Sequence, residues 1–170
     1  MPVNGPTFTR RVVKPVVRPA RTGLGLFATR AYEPGCTIIK IAGRVVSASL
    51  LWERGGAFAD NCFRFGPETY LDPGDDLGRY LNHSCAPNAG VRKSNNQLFL
   101  FAASRIAAGR EIVIDYSTIL GDDDIWTMRC ECGRRECRGR IRRFGTLPPA
   151  TRWLYLERGL VPKYIVGTLR

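Results

Sequence analysis

The sequence contains no apolar run approaching the ~18 residues a bilayer-crossing helix needs, so neither a transmembrane helix nor a membrane partner is expected. Its opening residues, MPVNGPTFTRR, lack the apolar core of a secretory leader, and the expectation is an intracellular protein. Residues 1–30 hold six Arg or Lys and no acid. Histidine occurs once, at His83, and no cysteine precedes Cys36. No repeat, low-complexity tract or clear linker divides the 170 residues, a length that favours one domain.

Base and turn residues dominate what is present. Lys and Arg number 26 against 15 Asp and Glu, a formal charge of +11. Seven Arg crowd residues 129–143, while acids gather at Asp72, Asp75 and Asp76 and at Asp122, Asp123 and Asp124. Such a balance suits an acidic partner such as nucleic acid. A solvated basic surface with no specific partner accounts for it about as well.

Local patterns predict a mainly β fold with few short helices. Prolines in VVKPVVRPA confine the first 20 residues to an extended arm or an edge strand. Residues 22–46 read as two strands around a Pro-Gly turn. Residues 47–60 read as a short helix capped by Ser47 or Ser49 and ended by Gly55-Gly56. A short strand pair is expected over 61–71, a turn over 72–76, and strands over 97–103 and 111–116. Residues 149–160 form the clearest helix, with Pro149 near its start and Gly159 as terminator.

The sharpest chemical signal by spacing alone is CECGRREC, with Cys130, Cys132 and Cys137. Three sulfurs so spaced can surround one ion, and zinc takes four ligands in a tetrahedron. The fourth must come from elsewhere: Cys36, Cys62, Cys85 and His83 are the candidates. Nearby arginines offset thiolate charge and can donate hydrogen bonds to sulfur. Three reduced thiols on a loop are the plainer alternative.

Four segments in order now resemble the SET-domain lysine methyltransferases: TGLGLFATRAYEPGCTI (22–38), RYLNHSCAPN (79–88), GREIVIDY (109–116) and CECGRREC (130–137). The resemblance spans about residues 22–141 and implies small curved β-sheets around a knot-like core, closed by a C-terminal zinc loop. It divides the chain into a basic arm (1–21), a SET catalytic domain (22–120), a post-SET zinc-binding segment (121–143) and a C-terminal helix and tail (144–170). The Cys cluster that precedes the domain in many relatives is missing.

The resemblance also implies roles. S-adenosylmethionine is the cofactor and a lysine on a protein, histone being the commonest association, is the substrate. Tyr116 is the catalytic tyrosine. Leu24, Gly25 and Leu26 offer backbone groups to the cofactor, Asn82 and His83 hold it, and Arg79 and Tyr80 line the same pocket. Trp126 or Ile141 covers the adenine. Cys85, directly after Asn-His-Ser, completes one zinc site with Cys130, Cys132 and Cys137, leaving Cys36 and Cys62 as buried thiols and Trp153 as a core residue. Ile114 and Phe63 line the substrate channel. Ile114 stands where many relatives carry Phe or Tyr, and this predicts methylation beyond the first step. No second pore tyrosine is evident in DNCFRFG (60–66), although Phe63 or Tyr70 can fill the space. Two other readings compete: a non-catalytic SET-like module docking nucleic acid or chromatin through its basic surface, and a zinc-based nucleic-acid-binding protein unrelated to methylation.

Overall fold

The computed structural model describes residues 13–169. Residues 1–12 of the expected basic arm (1–21) lie outside the described residues. β1 (Val16–Ala20) forms an antiparallel ribbon with β2 (Gly23–Phe27) at the edge of a four-stranded sheet. Pro19 lacks an amide hydrogen, and the edge is where a strand tolerates it. β2 pairs next with β10 (Glu111–Ile114), and β10 pairs in parallel with the two-residue β7 (Asn82–His83).

The β7–β10 contact is the one parallel pairing among the described strands. Asn88 extends it with its side chain, accepting from the Val113 amide at 2.9 Å and donating to the Glu111 carbonyl at 2.8 Å. The Ser84 and Asn88 amides donate to the carbonyls of Ile114 and Val113. Residues 82–88 are thereby bound along the 111–114 strand, although their polar composition gave no periodic signal.

A second sheet has the order β3 (Thr37–Ile41), β9 (Gln97–Ala102), β8 (Ala89–Ser94). β8 was not expected. Its turn to β9 is Asn95-Asn96, both at positive φ, the backbone a two-residue hairpin demands. A third sheet joins β4 (Arg44–Ser47), β6 (Thr69–Asp72) and β5 (Phe63–Gly66). Leu26, Tyr32, Ile41, Leu98, Leu100, Ile112 and Ile114 are almost wholly buried in the main core.

The helices are short, as expected, but number four among the described residues. α1 (Ala48–Arg54) starts where the Ser47 hydroxyl accepts from the Leu50 amide at 3.2 Å. Gly55 and Gly56 both take positive φ, so the pair ends α1 and also starts an unexpected second helix, α2 (Gly56–Asn61). α3 (Pro149–Glu157) stops three residues short of the expected end, and α4 (Lys163–Val166) follows. Phe144, Leu147, Tyr155, Leu160 and Ile165 pack this tail against Phe101. Trp153 is not a core residue: it is 64% exposed, on the outer face of α3. Cys36, expected to be buried, is exposed, and Cys62 is half-buried.

Candidate active site and cysteine cluster

Two cavities meet at Tyr116. One is an open cleft of about 620 Å³ whose walls include Leu24, Tyr80, Asn82, His83, Met128 and Ile141. The other is a narrow channel of about 40 Å³, with Phe63, Tyr70, Leu81, Ile119, Leu120 and Trp126 in its walls. Four residues line both: Asp60, Asn61, Arg79 and Tyr116.

Tyr116 opens a 3-10 turn (Tyr116–Ile119) directly after β10. Asp115 caps that turn by accepting from the Ser117 amide at 3.0 Å. The Tyr116 hydroxyl donates to the Leu81 carbonyl at 2.5 Å. Burial pushes the phenol well above its ordinary range, and the carboxylates of Asp60 and Glu111 add to the rise, so it remains a neutral donor.

The Asn82 amide nitrogen donates to Glu111 Oε1 at 2.8 Å and to the Leu24 carbonyl at 3.0 Å, tying β7 to β2 and β10. A Cβ at position 25 would strike the side chains of Glu111, Ala20 and Asn82, so this approach demands Gly25.

Of the residues singled out in the sequence, Leu24, Arg79, Tyr80, Asn82, His83 and Ile141 line the cleft. Gly25 and Leu26 do not. Leu26 is paired with Val17 on one side and Ile112 on the other, and its side chain lies in the core. Phe63 lines the channel, but Ile114 does not: it is fully buried beside Ile112, so the size argument drawn from it loses its basis. Trp126 stands in the channel wall rather than the cleft. Its ring centroid is 6.2 Å from that of Tyr116, and its Nε1 donates to Asp60 Oδ1 at 2.7 Å. Asp60, Asn61, Asn88 and Met128 carried no signal in the sequence.

Three of the four expected sulfurs, those of Cys85, Cys130 and Cys132, group with His83, while Cys137 lies beside Cys130 but outside that group. Cys85 Sγ is 3.7 Å from Cys130 Sγ, and Cys137 Sγ is 3.5 Å from Cys130 Sγ. Cys132 groups with Cys85, Cys130 and His83, all four ligand atoms lying within 4.8 Å of one another. Four thiolates at the zinc–sulfur bond length sit about 3.8 Å apart in a tetrahedron, and the Cys85–Cys130 and Cys137–Cys130 spacings fit that value. The antiparallel pair β11 (Met128–Arg129) and β12 (Arg140–Ile141) closes the loop that carries the triplet.

His83 connects this cluster to Tyr116. Its Nδ1 accepts from the Tyr116 amide at 3.2 Å, which leaves the proton on Nε2, 3.3 Å from Cys85 Sγ. Burial pushes its pKa down to about 4; Asp115 opposes that shift and Arg138 reinforces it. Asp115 is the hub behind both residues. It accepts from Arg138 at 2.7 and 2.8 Å and from the Tyr155 hydroxyl at 3.1 Å, joining the cysteine loop and α3 to the end of β10.

Asp124, one of the clustered acids, does not face solvent. It is buried, accepting from Arg64 at 2.8 Å, from the Tyr70 hydroxyl at 2.6 Å and from the Gly121 amide at 2.6 Å. Asp123 shares the same guanidinium through both oxygens at 2.7 Å.

A family model described as SET domain matches residues 23–117. The chain belongs to the SET-domain family. It is 31% identical over 136 residues to human histone-lysine N-methyltransferase 2B, covering 72% of this chain and 5% of the relative. It is 26% identical over 149 residues to histone-lysine N-methyltransferase set-2 of Caenorhabditis elegans, covering 81% and 10%. The chain thus spans a tenth or less of the length of these curated relatives. Among solved structures, the methyltransferase domain of human histone-lysine N-methyltransferase SETMAR superposes with a TM-score of 0.59 at 26% identity, covering 73% of this chain and 55% of that one. Arabidopsis thaliana SUVH6 in complex with SAM gives 0.61 at 21% identity, covering 74% and 32%, a likeness of SET fold alone.

Proposed function

We propose that this chain is an S-adenosylmethionine-dependent protein-lysine N-methyltransferase. The observation that carries the reading is the position of Tyr116, in the wall shared by a cofactor-sized cleft and a narrow channel. The cleft volume lies in the range of small-molecule sites. Its walls offer apolar cover from Tyr80, Met128 and Ile141, cationic Arg79 and Arg129, and β2 at Leu24. When bound there, S-adenosylmethionine supplies an activated methyl group.

The channel's work is on the lysine. A free lysine has a pKa near 10.4, so presenting its neutral amine near pH 7.4 costs about 4 kcal/mol. Walls of Phe63, Leu81, Ile119, Leu120 and Trp126 lower that cost by disfavouring the ammonium. The neutral Tyr116 phenol orients the amine, and the channel excludes bulk water. Zinc, held by Cys85, Cys130, Cys132 and Cys137, cross-links the C-terminal loop to β7. His83 serves as an N–H donor to the Cys85 sulfur rather than as a ligand, because its Nδ1 is engaged by Tyr116.

We assign the catalytic unit to residues 22–120, the zinc segment to 121–143 and a bracing tail to 144–170, in an intracellular, histone-associated protein. The histone assignment rests on the relatives' names and on a KRYPTONITE structure that contains an H3(1-15) peptide. No helix among the described residues is long and apolar enough to cross a membrane. Nucleic acid is the further partner. Arg21 Nε donates to the Glu131 carbonyl at 2.9 Å, joining the turn after β1 to the zinc loop, and Arg18, Arg129, Arg134 and Arg135 are exposed for contact with phosphate.

Tritiated S-adenosylmethionine incubated with core histones and with total lysate, wild type beside Tyr116→Phe, tests the activity. Label on protein that disappears in the variant is expected. Cofactor binding with no transfer to any protein would favour a non-catalytic binding module.

A further inference from the structure

Asp60 lies in the last turn of α2 and lines both the cleft and the channel. The other charged groups of the channel wall are already matched. Arg64 is paired with Asp124, and Arg79 lies 3.3 Å from Asp75. Across the cleft, Arg129 and Glu131 pair at 3.6 Å. The Asp60 carboxylate has no cationic partner within 4.0 Å among the described residues; its bond is to the neutral Trp126 indole. That bond spans 66 positions in sequence and fixes where the carboxylate stands.

A fixed, unneutralised carboxylate on the solvent-exposed rim where the cleft and the apolar channel meet attracts a cation small enough to enter. We infer that Asp60 is the charge-selecting residue of the channel, capturing the substrate as a primary ammonium before the amine passes inward to Tyr116. The inference rests on the lysine reading and names the group that admits the substrate. It also gives Trp126 a defined part, as the residue that positions Asp60. Capture as a cation and transfer as a neutral amine are compatible because Asp60 is exposed while the channel walls are apolar: the exposed rim favours the charged form and the apolar interior the neutral one.

The probe is n-butylammonium, a lysine side chain without its backbone, with n-butanol as its uncharged counterpart. Binding is followed by the fluorescence of Trp126 and Trp52, both in the channel wall. Asp60→Asn removes the charge but keeps an oxygen for the Trp126 indole; Asp60→Ala removes both. Wild type should prefer the ammonium by about threefold or more at low salt, the preference shrinking as salt rises. Asp60→Asn should show no preference with unchanged n-butanol binding, and KM for a lysine peptide should rise while kcat holds. Asp60→Ala should additionally shift the tryptophan emission. No preference in wild type, or an undiminished one in Asp60→Asn, overturns the inference. Charge-selective binding in a protein that transfers no methyl group would refute the enzymatic reading and leave Asp60's role standing.

Discussion

The Tyr116 hydroxyl is held by the Leu81 carbonyl at 2.5 Å, and this bond fixes the phenol in the partition between cleft and channel. Tyr116→Phe keeps the ring and loses the orienting hydroxyl. Methyl transfer should fall about 100-fold or more, the size of effect that follows when reacting groups lose their alignment. Stability should change by only about 1 kcal/mol, the worth of one hydrogen bond, measured by urea unfolding. Full activity in the variant would remove Tyr116 from the mechanism.

Zinc should be present at one ion per chain, measured by elemental analysis of protein purified without added metal. Cys130→Ala should lose it, because Cys130 touches both Cys85 and Cys137. Chelation should raise amide exchange across residues 128–141 while leaving β3, β8 and β9 protected. Uniform exchange across the chain would show that the metal does not pin this loop.

Arg64 and Asp124 form a nearly dry ion pair, with side-chain exposures of 2% and 1%. Arg64→Leu leaves Asp124 buried without its cation, and unfolding free energy should drop by about 3–5 kcal/mol. Replacing both Arg64 and Asp124 with apolar residues should recover part of that loss. A single variant as stable as wild type would show that Asp124 finds water or another partner.

Alkaline stability should depend on Cys62. Burial, helped by Asp72, pushes its thiol up to about 12 from an ordinary value near 9. Between those two values the unfolded chain gives up this proton and the folded chain keeps it. Stability therefore falls as pH rises above about 9, and below that pH the group contributes no slope. Denaturation followed from pH 8 to 11 should show a steeper loss for wild type than for Cys62→Ala. Equal slopes would assign the alkaline limb to the buried tyrosines alone.

The sequence revealed groups whose chemistry is local and withheld those made by distant partners. Cys130, Cys132 and Cys137 stand out by spacing, and Asn82 and Tyr116 by the short motifs around them. Trp126 looked like an adenine cover because only its neighbours in the chain were visible; its hydrogen bond to Asp60 depends on where α2 lands. Ile114 looked like a channel residue from its place before Tyr116, yet strand alternation puts it on the same core face as Ile112. Gly55-Gly56 was legible as a helix stop, but positive φ at both residues also permits the chain to start again. Asp115 read as part of a strand end. Its role as hub appears only when Arg138 and Tyr155 arrive from the tail.

The central claim is that the channel delivers a lysine amine to a methyl donor beside Tyr116. The most direct measurement is fragment mass spectrometry of a histone H3 peptide incubated with enzyme and S-adenosylmethionine. The account predicts methyl increments confined to lysine side chains with wild type and their absence with Tyr116→Phe. Increments on another residue type, or equal lysine methylation by the variant, would contradict it.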